Sequence, residues 1–161
     1  MKNYKNLFYC VFLCFFMCTI FSCATKKTEK LGETSFSIVL PQGYCLTEDE
    51  SLEEDQIAYY YKDDNSIDFD VYAWSNENYE LKEEAAYFAA EFNSTATNFS
   101  INGNDGYLYI SIEEFENTLW TVYNYLFEDD KNILELSFWT DGSEKEIRDV
   151  NTILSTLKKD N

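Results

Sequence analysis

YLYISIEEFENTLWTVYNYLFEDDKNILELSFW, residues 107–139, is the stretch of sequence that decides the fold. Apolar residues alternate with other residues along 107–114, 118–127 and 133–139, and this period of two predicts three β-strands. Short polar segments separate the three strands, and strands joined by short turns pair antiparallel. The stretch therefore predicts the centre of an antiparallel sheet.

Each of these strands has two distinct faces, because successive side chains of a strand point to opposite sides. The residues that share an apolar face are Leu108, Ile110 and Ile112 in the first strand, and Leu134, Leu136 and Phe138 in the third. In the second strand Trp120 shares a face with Val122 and Asn124, and Tyr123 and Tyr125 point the other way.

The segments before this stretch predict four more strands. The same alternation marks 35–40 and 67–74, the segment 57–62 is rich in tyrosine, and strand character returns at 99–101. Residues 102–106, Asn-Gly-Asn-Asp-Gly, predict a hairpin turn.

Two segments change to a period of three or four and predict helices. The first is 80–96, where the apolar stripe is formed by Leu81, Ala85, Phe88, Ala89 and Phe92. We expect Phe88 and Phe92 to be buried. The second helix begins with Ser143 and Glu146, which form the S-x-x-E capping box, and it continues to the lysines at 158 and 159.

These elements predict one α+β domain over 34–161. Its order is β-β-β-α-β-β-β-β-α, an antiparallel sheet of about six to seven strands with helices packed on it. The length of 161 residues suits one domain after removal of an N-terminal signal.

The composition excludes several classes of function. The chain has no histidine, which excludes Ser-His-Asp catalysis and histidine-ligated zinc. It has 30 acidic against 12 basic residues, a net charge of −18, and this argues against nucleic acid as a partner. No phosphate-binding loop or nucleophile elbow is present. We therefore expect a protein that is not an enzyme and needs no cofactor or metal.

The N-terminus predicts export. Two lysines, Lys2 and Lys5, precede the uncharged segment 7–21, which at 15 residues is shorter than the roughly 20 needed to span a bilayer. A short positive start followed by such a segment is typical of a signal peptide, here 1–22.

The end of this segment, Ile20-Phe21-Ser22-Cys23, resembles the lipobox of bacterial lipoproteins. The resemblance implies cleavage before Cys23, acylation of its thiol, and a lipid anchor in the cell envelope, at the outer membrane if the cell has two membranes. An ordinary secretion signal with a chance cysteine is the alternative. Residues 24–33 are small and polar, and they predict a flexible tether between Cys23 and the domain.

The domain resembles the PsbP-like family, named after an extrinsic subunit of photosystem II; a Ran-binding nuclear import factor shares the fold. The resemblance rests on the opening strand into Pro-x-Gly-aromatic (FSIVLPQGY, 36–44), on a helix inserted after the third strand, and on the C-terminal helix with Leu154 and Leu157 near its end. It implies an α/β/α sandwich and a role in binding or assembly. No functional residue is carried over from it.

The best candidate for partner binding is one face of the strand 67–74. Asp68, Asp70, Tyr72 and Trp74 share this face and suggest an exposed aromatic-acidic patch, because tyrosine and tryptophan combine a large contact area with a polar group. Core filling and cross-strand pairing are the alternative role for these aromatics.

Three groups of carboxylates are candidates for cation binding. They are the acidic loop 48–55, the group Asp63, Asp64 and Asp68, and the group Glu113, Glu114 and Glu116. The loop lacks the order and the glycine of a calcium-binding loop, so a solvated loop is the preferred interpretation. Whether 48–55 binds a cation stays open.

The favoured hypothesis is a non-catalytic, lipid-anchored envelope protein that acts as a protein-binding or assembly module. The alternative is an acidic inhibitor or capture protein for a cationic envelope target, such as a lysozyme-like enzyme, because high net charge steers an oppositely charged partner.

The lipid anchor is directly testable. We expect Cys23→Ser to release the protein from membranes or to leave its precursor uncut, because the thiol that accepts the lipid is gone. Membrane fractionation and the size of the product on a gel measure both effects. Unchanged attachment and processing would contradict the anchor.

Overall fold

The computed structural model describes most of the domain. The described residues are 26–47, 52, 55–62, 67–75, 80–130 and 132–160. The predicted signal peptide, Cys23 and most of the acidic loop 48–55 lie outside them. No helix among the described residues is long and apolar enough to cross a membrane.

Ten strands and two helices are formed by the described residues. In chain order they are β1 (Lys27–Lys30), β2 (Phe36–Leu40), β3 (Cys45–Leu46), β4 (Gln56–Tyr61), β5 (Asp68–Ser75), α1 (Leu81–Glu91), β6 (Thr97–Ile101), β7 (Asn104–Phe115), β8 (Thr118–Asp129), β9 (Asn132–Thr140), α2 (Glu144–Leu154) and β10 (Lys158–Lys159).

The strands form two antiparallel sheets. The large sheet has seven strands in the order β3-β4-β5-β9-β8-β7-β6, and the small sheet has the order β1-β2-β10. The predicted α+β class, the antiparallel sheet and the place of the two helices in the strand order are confirmed. The structure adds three short strands, β1, β3 and β10, which the sequence pattern did not predict.

The main core lies on the first face of the large sheet. Phe69, Phe127 and Phe138 of this face are fully buried. They are covered by the small sheet and by α2, and the ring of Phe36 in β2 lies 5.7 Å from that of Phe127. The capping serine predicted for α2 is confirmed, because Ser143 accepts a hydrogen bond from the backbone N–H of Glu146 at 3.3 Å.

Helix α1 lies on the second face of the large sheet. Its two alanines, Ala85 and Ala89, are buried against Tyr109, Leu126 and Ile133. Small side chains at these positions let the helix approach the sheet closely. This smaller core completes a layered structure with α2 and the small sheet on one side and α1 on the other.

The prediction that Phe88 and Phe92 are buried is wrong. Helix α1 ends at Glu91 rather than at residue 96, and Phe92 is 40% exposed while Phe88 is half-buried. The alanines occupy the centre of the contact, so the larger rings lie beside it. Phe88 contacts Trp74 edge to face, and Phe92 stacks on Tyr109.

The prediction of a flexible tether over 24–33 needs correction in its second half. Residues Lys27–Lys30 form β1, which pairs antiparallel with β2, and Leu31 is fully buried. The local sequence carries no alternating pattern. The strand forms because β2 would otherwise present an unpaired backbone edge.

The β7–β8 hairpin extends beyond the core. Ile110 and Ile112, predicted to share an apolar face, are 40% and 61% exposed, and Leu119 on the same face is 68% exposed. Phe115, on the opposite face near the turn, is 61% exposed. The tip of this hairpin therefore presents large apolar side chains to solvent on both of its faces.

Two phenylalanine substitutions test the position of the core. We expect Phe127→Ala to lower the free energy of unfolding by about 3–5 kcal/mol, because it removes a fully buried ring. The matched Phe92→Ala removes a partly exposed ring, and we expect a loss below about 1.5 kcal/mol. Denaturant unfolding measures both. Equal losses would contradict the burial described for the two rings.

Candidate functional site

The second face of the large sheet is only partly covered by α1, and the rest of it forms an open groove. The groove has an outer and an inner part, with volumes of about 560 and 550 Å³. We call it the aromatic-acidic groove. Its outer part is lined by residues that include Tyr59, Asp68, Asp70, Phe115, Trp120 and Trp139. Its inner part, beside α1, adds residues that include Tyr72, Trp74, Phe88, Tyr109, Glu135 and Ser137.

Strand register brings these side chains together. In β5 every second residue from Asp68 to Trp74 points to the second face, as the period of two predicted. Pairing with β9 sets Asp68 opposite Trp139 and Asp70 opposite Ser137. The neighbouring strand β8 contributes Trp120 from the same face.

The four predicted patch residues share one face, but they do not form an exposed patch. Asp70 is only 7% exposed, and Asp68, Tyr72 and Trp74 are half-buried. The ring of Phe88 covers one side of Trp74 at a centroid distance of 5.6 Å. Coverage by α1 and by side chains of β4 and β9, which the sequence pattern could not show, turns the patch into part of a groove.

The carboxylates of the outer part are held in place by polar aromatic and amide groups. Asp70 accepts a hydrogen bond from Gln56 Nε2 at 2.6 Å and another from Trp139 Nε1 at 2.7 Å. Asp68 accepts one from the hydroxyl of Tyr59 at 2.8 Å. Asp68 and Asp70 are therefore each hydrogen-bonded to an aromatic side chain that lines the same groove.

A second network lies in the inner part. Glu135 Oε1 accepts hydrogen bonds from Tyr109 at 2.9 Å and from Ser137 at 3.2 Å. Beside it, Asn124 donates to Ser111 at 3.1 Å, and Ser111 donates to Glu113 at 2.7 Å. Glu135 and Ser137 were not singled out from the sequence, although their place in an alternating strand was visible there.

The groove is strongly acidic. Among the described residues that line its two parts, every charged side chain is a carboxylate. Burial raises the pKa of Asp68. Burial also raises the pKa of Glu135 to about 7, and the hydrogen bonds from Tyr109 and Ser137 oppose this rise only in part.

One donor in the outer part has no acceptor. Trp120 Nε1 is shielded from solvent, and it has no hydrogen-bond partner among the described residues. Leaving a buried donor unpaired costs about 1–3 kcal/mol. The outer part therefore contains a polar group that the described part of the chain does not satisfy.

The described residues do not assemble a metal site. No group of three or more Cys, Asp or Glu among them is placed to hold a metal ion. Glu113 and Glu114 point to opposite faces of β7, since they are consecutive in a strand, so this predicted carboxylate group is not formed. Asp63 and Asp64 lie outside the described residues.

Comparison with known proteins places the fold. No protein-family model and no curated protein sequence matches the chain. The solution structure of PsbP (CyanoP) from Synechocystis sp. PCC 6803 matches with a TM-score of 0.63 over 86% of this chain and 95% of that one, at 7% identity. The chain has a PsbP-like fold. The family-level resemblance predicted from the sequence is confirmed in this respect.

Two crystal structures share this PsbP-like architecture. LpqN, involved in cell envelope biogenesis of Mycobacterium tuberculosis, matches with a TM-score of 0.56 over 83% of this chain and 90% of that one, at 9% identity. A protein from Bacteroides thetaiotaomicron VPI-5482 matches with a TM-score of 0.60 over 85% of this chain, at 20% identity. The present chain spans 50% of the length of that protein. Similarity at these identities establishes the fold.

The buried Glu135 predicts a pH-dependent stability. Its folded-state pKa of about 7 lies above the ordinary glutamate value of 4.5, so between these two pH values the folded protein binds a proton that the unfolded chain does not. The stability contributed by neutral Glu135, up to roughly 3 kcal/mol, is fully present below about pH 4.5 and is lost as the pH rises through about 7.

The variant Glu135→Gln keeps a neutral acceptor for Tyr109 and cannot ionise. We expect the free energy of unfolding of the variant minus that of the wild type to be larger at pH 8 than at pH 5, because only the wild type is destabilised by ionisation of Glu135. Denaturant unfolding of both proteins at the two pH values measures this difference. A difference that does not change with pH would contradict the burial of an ionisable Glu135.

Proposed function

We propose that the protein is a non-catalytic, lipid-anchored module of the bacterial cell envelope that binds another protein through the aromatic-acidic groove. The observation that carries the proposal is the open half of the second sheet face. There, rings of Trp, Tyr and Phe and ordered carboxylates line a groove without any base among its described residues. Tyrosine and tryptophan are enriched among the residues that dominate binding energy at protein interfaces.

The hydrogen bonding of the groove supports binding rather than catalysis. Asp68 and Asp70 accept bonds from Tyr59, Gln56 and Trp139, which fixes them as acceptors on a rigid sheet. The chain has no histidine, so acid–base and nucleophilic catalysis that depends on a histidine is excluded.

Placement in the envelope is supported by the N-terminal sequence. Residues 20–23 resemble a lipobox, and LpqN, which has a similar fold, is involved in cell envelope biogenesis. Three residues separate Cys23 from β1, a span of at most about 15 Å. Acylation of Cys23 would therefore hold the domain close to the membrane.

Strand β1, which follows the proposed anchor in the chain, and the groove belong to different layers of the domain. Strand β1 is in the small sheet, which packs on the first face of the large sheet, while the groove is on the second face. A domain anchored through the layer of β1 keeps the groove accessible to a partner. The outer membrane is the proposed location if the cell has two membranes.

A second candidate function is capture of a cationic envelope protein, such as a lysozyme-like enzyme. The net charge of −18 and the acidic lining of the groove favour it. Attraction by charge alone fades at high salt, where the Debye length falls to roughly 4 Å at 0.5 M. Contacts that bury aromatic rings persist under those conditions.

A pull-down with matched variants tests the binding role. The bait is the full chain, tagged at its C-terminus and extracted in detergent, and it is incubated with envelope extract at about 0.05 and about 0.5 M salt. We expect the wild type to retain a stoichiometric protein at both concentrations. Phe115→Ala, which removes an exposed ring from the groove, should reduce recovery about tenfold.

The control is Leu119→Ala on the same hairpin. Leu119 is 68% exposed but points away from the groove, so we expect recovery to stay unchanged. Equal loss from both variants would place the contact elsewhere on the hairpin. Retention at low salt only would favour capture by charge, and the absence of any retained protein would contradict a protein-binding role.

A further inference from the structure

We propose that the occupant of the aromatic-acidic groove is an extended, arginine-bearing peptide segment of the partner protein. In this arrangement a guanidinium group lies against the indole rings of Trp120 and Trp139 and pairs with the carboxylates beside them. This inference rests on the proposed protein-binding function and names the chemistry of the partner.

Charge is the first reason. The carboxylates of Asp68, Asp70 and Glu116 line the outer part, and no lysine or arginine is among the described residues that line either part. Like charges gathered in one groove repel one another, and a bound cation relieves that repulsion. An anionic partner, such as a phosphate-rich surface, would add to it.

The aromatic rings are the second reason. A guanidinium group is planar, stacks on indole faces and forms paired hydrogen bonds with a carboxylate. The outer part offers both features side by side, because Trp139 Nε1 donates to Asp70 and the Tyr59 hydroxyl donates to Asp68. Rings and charges held in place by such bonds need little reordering on binding.

Shape favours a peptide over a small cation. The groove is open, and it runs out to the tip of the β7–β8 hairpin, where Phe115 is 61% exposed. Small ligands are usually held in more enclosed pockets. An extended peptide has the length to run along such an open groove toward the hairpin tip.

The proposal is tested with four labelled octapeptides and the full chain in detergent. In each peptide alanine alternates with one other residue, which is arginine, lysine, glutamine or glutamate. Binding is followed by fluorescence anisotropy at about 0.1 M salt. We expect the arginine peptide to bind most tightly, about threefold or more above the lysine peptide. The glutamine and glutamate peptides should not bind.

Two double variants locate the site. Asp68→Asn with Glu116→Gln removes two charges from the groove, and we expect the arginine peptide to bind at least about tenfold more weakly. The control is Glu114→Gln with Glu144→Gln, which removes two exposed charges outside the groove. We expect it to change binding by less than about twofold.

Three outcomes would overturn the inference. Equal weakening by both double variants would show attraction to net charge only, and failure of the arginine peptide to bind would exclude a basic segment. The third outcome concerns a neutral oligosaccharide, chitotetraose. If no peptide binds, and chitotetraose binds the wild type but not Trp120→Ala, the groove is assigned to sugars. If the pull-down still depends on Phe115 in any of these cases, the protein-binding role stands and only the basic segment is excluded.

Discussion

The pairing of β9 between β5 and β8 is the interaction on which the rest of the structure depends. β9 is the central strand of the seven-stranded sheet, and nearly all of its residues are buried. Its register places Leu134, Leu136 and Phe138 on the first face and Glu135 and Ser137 on the second. A slip of one residue would send the carboxylate into the main core. The same register therefore builds the core and keeps the polar groups together on the other side.

Unequal coverage of the two faces then creates the groove. The small sheet and α2 cover the first face, whereas on the second face α1 contacts the sheet through Ala85 and Ala89 and covers only part of it. The uncovered part carries side chains that a core would exclude. Asp70 and Glu135 tolerate burial because each accepts two hydrogen bonds from neighbouring groups, which offsets part of the cost of removing a carboxylate from water.

The function of such a domain resides in its side chains rather than in its architecture. Proteins with a similar fold share 20% or less of their sequence with this chain, and one fold hosts unrelated functions. In this chain the described residues that line the groove combine indole rings with carboxylates and include no lysine or arginine. The layer that holds β1, next to the proposed anchor, lies on the other side of the sheet.

The sequence by itself determined the local elements of this protein. A period of two is a property of neighbouring residues, so it predicted the long strands and the shared face of Asp68 to Trp74. Only the tertiary structure decided what covers each face. The pairing of β1 with β2, the exposure of Phe92 and the burial of Asp70 all depend on contacts between different elements. The groove itself joins Asp70 to Trp139, which are 69 residues apart, and no local pattern encodes a contact over that distance.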